Sequence, residues 1–261
     1  MHQWLKREQK KGRHSDVLTI FKNILCSISL NNVKPFFLPM VVRIGDKAPN
    51  LKLAEWVQGK PTNIDKEIGN VILIEVFQVN CPGCFIYGIP DAINIYRNYS
   101  NKGVTVLGVA TAFEDFDKNT LDNLKLLLFT GEVIGETRKA LGQYGQLVEE
   151  NKLSYKIPFR VAMDSLKKES AILSESRIMD FVESNVPDFR SYSDANRLIL
   201  IERVKNYLQT KQNSAQTFEE YGLRGTPSSI LIDRKGIVRQ INFGADRLLD
   251  NMVKDLVIEQ E

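Results

Sequence analysis

Two cysteines three residues apart, in Cys81-Pro82-Gly83-Cys84, are the residues of this chain best suited to chemistry. At the start of a helix such a pair can close a small disulfide ring, and the helix N-terminus stabilises a thiolate there through its unpaired N–H groups and partial positive charge. The first cysteine, Cys81, is then the more exposed nucleophile, and Cys84, one turn inside, resolves a mixed disulfide by attacking Cys81. A Cys-x-x-Cys pair can also be half of a zinc site. The rest of the 261-residue chain offers only Cys26, His2 and His14 as further cysteine or histidine ligands, all near the N-terminus. A closed tetrahedral site would require that segment to fold back over the helix, so no metal ligand is assigned. The same shortage excludes mechanisms built on a core histidine base. No glycine-rich phosphate loop of useful spacing occurs. No cofactor is therefore expected beyond the redox pair itself, and electrons must come from a partner thiol or reductase.

Composition supports a chain that can bury a sizeable core, with 43% hydrophobic and 26% charged residues. The net charge of +3 is small, and much of the basic excess sits in the first 14 residues (Lys6, Arg7, Lys10, Lys11, Arg13). No nucleic-acid surface is expected. Three cysteines are too few for a disulfide-stapled scaffold, and Cys26, alone in an apolar stretch, reads as a buried small hydrophobe or as the thiol of a disordered tail. The basic segment followed by the apolar run 17–30 has the outline of a signal peptide. Lys22 and Asn23 interrupt that run, and it is shorter than the roughly 20 residues a spanning helix needs. A cytoplasmic location is expected, with export or membrane anchoring through residues 17–30 as the alternative and the one route to membrane contact.

The elements that must position the cysteines can be read along the chain. Residues 1–43 read as an N-terminal extension, poorly ordered or a peripheral helix, and the fold is expected to start near Ile44, where Gly45-Asp46-Lys47-Ala48-Pro49 makes a turn before the alternating stretch Leu51 to Leu53. Val71 to Phe77 is an apolar, β-branched run, as in a strand covered on both faces, with Glu75 as its one misfit. The cysteine pair then opens a helix through Tyr99. Pro82 is tolerated in its first turn, and Pro90 should kink it. A second buried strand, Val104 to Ala110, makes a parallel pair with the first. Thr120 caps a helix from Leu121 to Phe129 that ends at Gly131. Another helix covers Glu136 to Glu150, and Ile157 to Met163 reads as a strand. Residues 165–214 are a helical insertion, with Leu200, Ile201, Val204, Tyr207 and Leu208 on one stripe. A hairpin, Ser228 to Asp233 and Ile237 to Asn242 about a Lys-Gly turn, and a helix from Asp246 to Ile258 close the chain.

The stretches from Gly45 to Asn94 and from Tyr221 to Gly244 resemble the TlpA-like, or redoxin, branch of thioredoxin-fold proteins, which is related to peroxiredoxins. The resemblance rests on Gly-Asp-Lys-Ala-Pro ahead of the fold and on the apolar strand leading into Cys-Pro-Gly-Cys. It also rests on Tyr-Gly-Leu-Arg-Gly-Thr-Pro followed by Ile-Leu-Ile-Asp-Arg-Lys-Gly. It implies an α/β thioredoxin-like fold over residues 44–261: a central mixed sheet flanked by helices, with the 165–214 insertion before the cis-proline strand. It further implies a cis Thr226-Pro227 bond against the active disulfide. Pro82, Gly83, Thr226 and Pro227 would then face a substrate strand. Glu75 occupies the position of a buried acid beneath the active site, where burial would raise its pKa and let it exchange a proton with Cys84. The alternative for Glu75 is a strand-end carboxylate reaching solvent. Two departures stand out: Asn80 where a tryptophan usually precedes the first cysteine, and Pro90 six residues after Cys84 where five is usual.

The function expected is a thiol-disulfide oxidoreductase acting on protein or small-molecule thiols and disulfides. A peroxiredoxin-like peroxidase, with Cys81 attacking a peroxide and Cys84 condensing with the sulfenic acid, is the runner-up. It lacks the usual pattern, since the threonine and proline positions three and seven residues before the peroxidatic cysteine hold Gln78 and Ile74. A non-catalytic binding module that docks a partner through the insertion is the third alternative.

Overall fold

The computed structural model of the chain describes residues 41–168, 174–186, 188–210 and 213–259. Cys26, His2, His14 and the 17–30 run lie outside the described residues. The chain divides into two compact units, with Glu169–Gln212 in the smaller and the rest of the described chain in the larger.

In chain order the larger unit contains β1 (Leu53–Gln58), β2 (Val71–Phe77), a π-helical turn (Cys84–Gly88), α1 (Ile89–Tyr99), β3 (Val104–Ala110), α2 (Leu121–Thr130) and α3 (Gly135–Gln143). A small ribbon follows, β4 (Leu147–Val148) and β5 (Lys152–Leu153), then β6 (Arg160–Asp164) and β7 (Leu166–Lys168). The smaller unit holds α4 (Glu175–Asn185) and α5 (Asp194–Thr210). The larger unit resumes with β8 (Asn213–Ala215), α6 (Gln216–Glu220), β9 (Ser228–Ile232), β10 (Val238–Phe243) and α7 (Leu249–Ile258).

Six strands form one mixed sheet in the order β1-β6-β3-β2-β9-β10. β2 and β3 pair in parallel, as do β3 and β6, while β9 runs antiparallel to β2. β2 is at the centre, and every residue from Val71 to Phe77 is buried. Strand side chains alternate between faces, and the packing follows this. Val71, Leu73 and Phe77 join one apolar cluster with Phe85, Ile89 and Ile93, which lie just after the cysteine pair. Ile72, Ile74 and Val76 join another on the opposite face with Leu107, Ile230 and Ile232. Glu75 shares its face with Leu73 and Phe77, which turns its carboxyl toward the helix that carries the cysteines.

Several boundaries differ from those expected. The fold is engaged at Val42, which is buried and donates its N–H to the carbonyl of Glu220. β1 begins at Leu53 rather than ending there. The helix expected to run to Glu150 stops at Gln143, and its second half folds instead as the β4–β5 ribbon. Thr120 does cap α2, accepting from the N–H of Asn123, and Gly131 ends it in the left-handed conformation. The expected insertion is shorter at both ends: β7 pairs antiparallel with β8, Leu166 opposite Ala215 and Lys168 opposite Asn213. Within the smaller unit, Ile178, Val182, Val186, Phe189, Val204 and Leu208 form a core of their own. Among the described residues no helix is long and apolar enough to cross a membrane.

A buried carboxylate ties the edges of the central strands together. Glu67, just before β2, accepts hydrogen bonds from the hydroxyls of Thr62 (2.6 Å) and Thr105 (2.7 Å) and from the Arg160 guanidinium (2.7 Å). Desolvation pushes its pKa up, but these donors and the Arg160 charge outweigh it and hold the group below the usual carboxylate value. Its contribution is therefore fully present above the unfolded-state pKa and is lost as pH falls through the lower folded-state value. Truncation of one partner of a buried pair costs about 3–5 kcal/mol, less here because Arg160 is a third exposed. Glu67→Ala is expected to lower unfolding stability by about 2–3 kcal/mol in urea titrations at neutral pH, with the difference shrinking in acid.

Candidate active site

The helix that carries the cysteine pair follows β2 after the short loop 78–81, and its first turns are not regular. Cys81 and Cys84 are joined by a disulfide with their Cα atoms 5.4 Å apart. The Cys84 N–H points at Cys81 Sγ from 3.3 Å, the helix-terminus donation expected to favour a thiolate on Cys81 once the pair is reduced. Cys84 is wholly buried, whereas Cys81, Pro82 and Gly83 are partly exposed. From Cys84 to Gly88 the helix widens into a π-turn, with the Ile89 N–H reaching the carbonyl of Cys84. The kink expected at Pro90 takes this form. Proline lacks an N–H and its ring clashes with the carbonyl four residues back, and a π-turn just ahead of it relieves both.

The Thr226-Pro227 peptide bond is cis, and its loop lies directly against the cysteines. Cys81 Sγ is 3.5 Å from the carbonyl oxygen of Thr226. A Cβ built on Gly83 would lie 3.6 Å from Pro227 Cδ, so the two residues are in packing distance. Gly88 is tighter still: a Cβ there would lie 2.6 Å from Pro227 Cβ and overlap Glu75 Oε1. Only glycine fits.

Glu75 does not reach solvent; it is 0% exposed. Its Oε2 accepts from the hydroxyl of Ser229 at 2.7 Å, the residue paired with it in register across β2 and β9. Its Oε1 is buried with no hydrogen-bond partner. Desolvation pushes the Glu75 pKa up to about 8; the Ser229 hydrogen bond opposes the shift and the charge of Asp91 adds to it. The structure thus brings together Cys81, Cys84, Gly83, Thr226 and Pro227, with Glu75 one layer behind, against Gly88.

Asn80, the residue in place of the usual tryptophan, is buried and polar for a reason that composition does not reveal. Its N–H donates to Asn119 Oδ1 (2.8 Å), its Nδ2 donates to Asp115 Oδ2 (2.7 Å), and its Oδ1 accepts from the Glu136 N–H (2.7 Å). The Thr137 hydroxyl adds a bond to the carbonyl of Val79 (2.8 Å). The loop after β3 and the first turn of α3 are thereby fastened to the residues just before Cys81. Gly135 permits this contact, with a φ of +53° and no room for a Cβ beside the Asn80 amide. Phe243, 61% exposed, lays its ring on Gly225, where a Cβ would come within 2.5 Å of it. Neither Asn80 as an anchor nor Phe243 as a neighbour of the site was signalled by spacing. Ser229 could have been found as the polar misfit opposite Glu75 in a second apolar strand. Among the described residues, no group of three or more His, Cys, Asp or Glu side chains is placed to hold a metal ion.

No protein-family model matches the sequence, and no curated protein matches it either. Solved structures do. The crystal structure of a thioredoxin-like superfamily protein is 26% identical over 82% of this chain and 97% of its own, with a TM-score of 0.50. A thiol-disulfide isomerase from Corynebacterium glutamicum is 26% identical over 83% of this chain and 98% of its own, with a TM-score of 0.49. A thiol:disulfide interchange protein of the thioredoxin family from Chlorobium tepidum is 19% identical over 83% and 98%, with a TM-score of 0.41.

The raised pKa of Glu75 has a measurable consequence. Folded chain keeps the Glu75 proton up to about pH 8, while unfolded chain releases it near 4.5. Between those values the native state binds the extra proton, so stability falls as pH rises, with a slope approaching ~1.4 kcal/mol per pH unit. Urea midpoints of the oxidised protein are expected to fall across that window, and Glu75→Gln to remove the slope and be the more stable form at its alkaline end. A slope unchanged by Glu75→Gln would show that another group titrates.

Proposed function

We propose that this protein of thioredoxin-like fold is a thiol-disulfide oxidoreductase whose working couple is Cys81 and Cys84. The observation that carries the reading is the Cys81–Cys84 disulfide at the start of the active-site helix, its exposed sulfur against the Thr226 carbonyl. That is where an extended substrate segment can present a disulfide to Cys81 while its backbone pairs with Thr226.

In the reducing direction the Cys81 thiolate attacks one sulfur of a substrate disulfide. A mixed disulfide forms and the first substrate thiolate leaves. The Cys84 thiolate then attacks the Cys81 sulfur, the Cys81–Cys84 bond forms, and the second substrate thiolate departs. Two electrons have moved from the protein to the substrate, and a partner dithiol or reductase must return them. Oxidation of a substrate dithiol runs the same steps backward. Before it attacks, Cys84 must lose a proton in a place that solvent does not reach. Glu75 is the acid-base group we assign to that transfer. Its pKa of about 8 is close to that of a thiol, which suits reversible exchange, and the unpartnered Oε1 is the free acceptor. Pro82 and Gly83 flank the nucleophile, and Phe243 supplies exposed apolar surface that Asn80 does not. Protein or small-molecule thiols and disulfides are the substrates this reading implies.

Insulin reduction in the presence of dithiothreitol and consumption of hydrogen peroxide separate this function from its nearest rival. Disulfide reduction is expected to accelerate with wild-type protein and to return to the uncatalysed rate with Cys81→Ser, while peroxide turnover stays negligible. Vigorous peroxide turnover without disulfide reduction would falsify the proposal. Glu75→Gln should slow insulin reduction and flatten its pH dependence; an unaltered pH profile would remove Glu75 from the chemistry.

A further inference from the structure

The π-turn of the active-site helix deprives one backbone acceptor of its helical partner, and a tyrosine from a distant part of the chain replaces it. In an unbroken α-helix the Ile89 N–H would donate to the carbonyl of Phe85, four residues back. Here it donates to Cys84, five residues back. In the wider register the donor for Phe85 would be residue 90, a proline with no N–H. Phe85 is buried, so its carbonyl cannot turn to water, and a buried unpaired acceptor is costly. The Tyr155 hydroxyl, from the segment between β5 and β6, donates to that oxygen at 2.9 Å. Burial raises the tyrosine's pKa well above its usual value, so it remains a donor wherever the protein is folded.

We propose that Tyr155 is a positioning residue for the Cys81/Cys84 couple, its hydroxyl holding the turn that begins at Cys84 in the wide register and so keeping the resolving sulfur aligned with Cys81. The inference rests on the oxidoreductase reading and adds a residue to its machinery. Without the hydroxyl, the helical donor that can partner the Phe85 carbonyl is the Ile89 N–H. The turn then tightens into α-helix, the Cys84 carbonyl passes to the Gly88 N–H, and Cys84 and Gly88 rotate against Cys81, Glu75 and Pro227. An intramolecular attack depends steeply on alignment of the reacting atoms. The bimolecular attack by Cys81, outside the π-turn, does not share that dependence.

The two steps can be timed separately with an aromatic disulfide whose thiolate is coloured. The reduced protein's Cys81 thiolate displaces one coloured thiolate and forms the mixed disulfide. The Cys84 thiolate then attacks the Cys81 sulfur, closing Cys81–Cys84 and releasing the second coloured thiolate. With Tyr155→Phe the first release is expected at the wild-type rate and the second about fivefold slower, the effect of losing one hydrogen bond of ordinary net strength. Adding Pro90→Ala restores an N–H that can reach the Phe85 carbonyl and is expected to return the second release to near the wild-type rate. This double variant does not need the tyrosine for its fold and is read even where the single variant is too unstable. The inference is overturned by an unchanged second release in Tyr155→Phe, by equal slowing of both releases, or by a slow second release in the double variant. A wild-type protein that never gives the second release would instead overturn the oxidoreductase reading itself.

Discussion

Residues of three elements converge at a point with room for a hydrogen atom and none for a methyl group. Gly88 stands there on the active-site helix, Glu75 reaches up from the central strand, and Pro227 closes in from the loop before β9. Most of the site follows from that contact. The helix must come down onto the sheet closely enough to bury the carboxyl, so the carboxyl loses water and holds its proton. The same closeness places the proline loop against the cysteines. Overpacking such a junction by a single methyl forces backbone or side chains to move, and here the groups that would move are the Glu75 carboxyl and the Pro227 ring.

Much of this arrangement was legible in the sequence because it rests on patterns of short range. An apolar run as continuous as Val71–Phe77 belongs to a strand covered on both faces, and it was recovered residue for residue. A charged residue inside it had either to reach solvent or to be buried, and the packing buries it beside Ser229. The cysteine spacing is likewise a local signal, whereas the place of Thr226-Pro227 followed from the family resemblance, and the structure brings the two together. What stayed hidden was long-range pairing. Nothing near Asn80 announces that Asp115, Asn119 and Glu136 will meet it, and nothing near Phe85 announces Tyr155. The end of the helix after Gly135 has a local cause instead: residues 144–150 are polar enough for a helix surface, but the left-handed Gly145, Glu149 and Glu150 turn the chain into a ribbon.

Two polar anchors therefore bracket the cysteines, each solving a problem of unpaired backbone or amide groups. Ahead of Cys81, Asn80 uses both its main-chain and side-chain donors, so the loop entering the helix is fixed from outside the helix. Behind Cys84, the wide turn and Pro90 together strand a carbonyl that Tyr155 retrieves. A widened turn stabilised from outside is a different device from a simple proline kink. It sets where the helix axis shifts, between the cysteines and the proline, and not merely that it bends.

The β7–β8 ribbon has a consequence of another kind. Lys168 and Asn213 lie opposite each other across a single strand spacing, roughly 5 Å, so the segment between them leaves and re-enters the main unit at almost one point. To the sheet, the intervening helices are topologically no more than the loop of a hairpin, and the entropic cost of closing a loop grows only slowly with its length. The segment has an apolar core of its own and answers to a separate set of constraints. The main unit thus asks of the inserted segment only that its two ends meet at the spacing of one strand pair, where Lys168 faces Asn213.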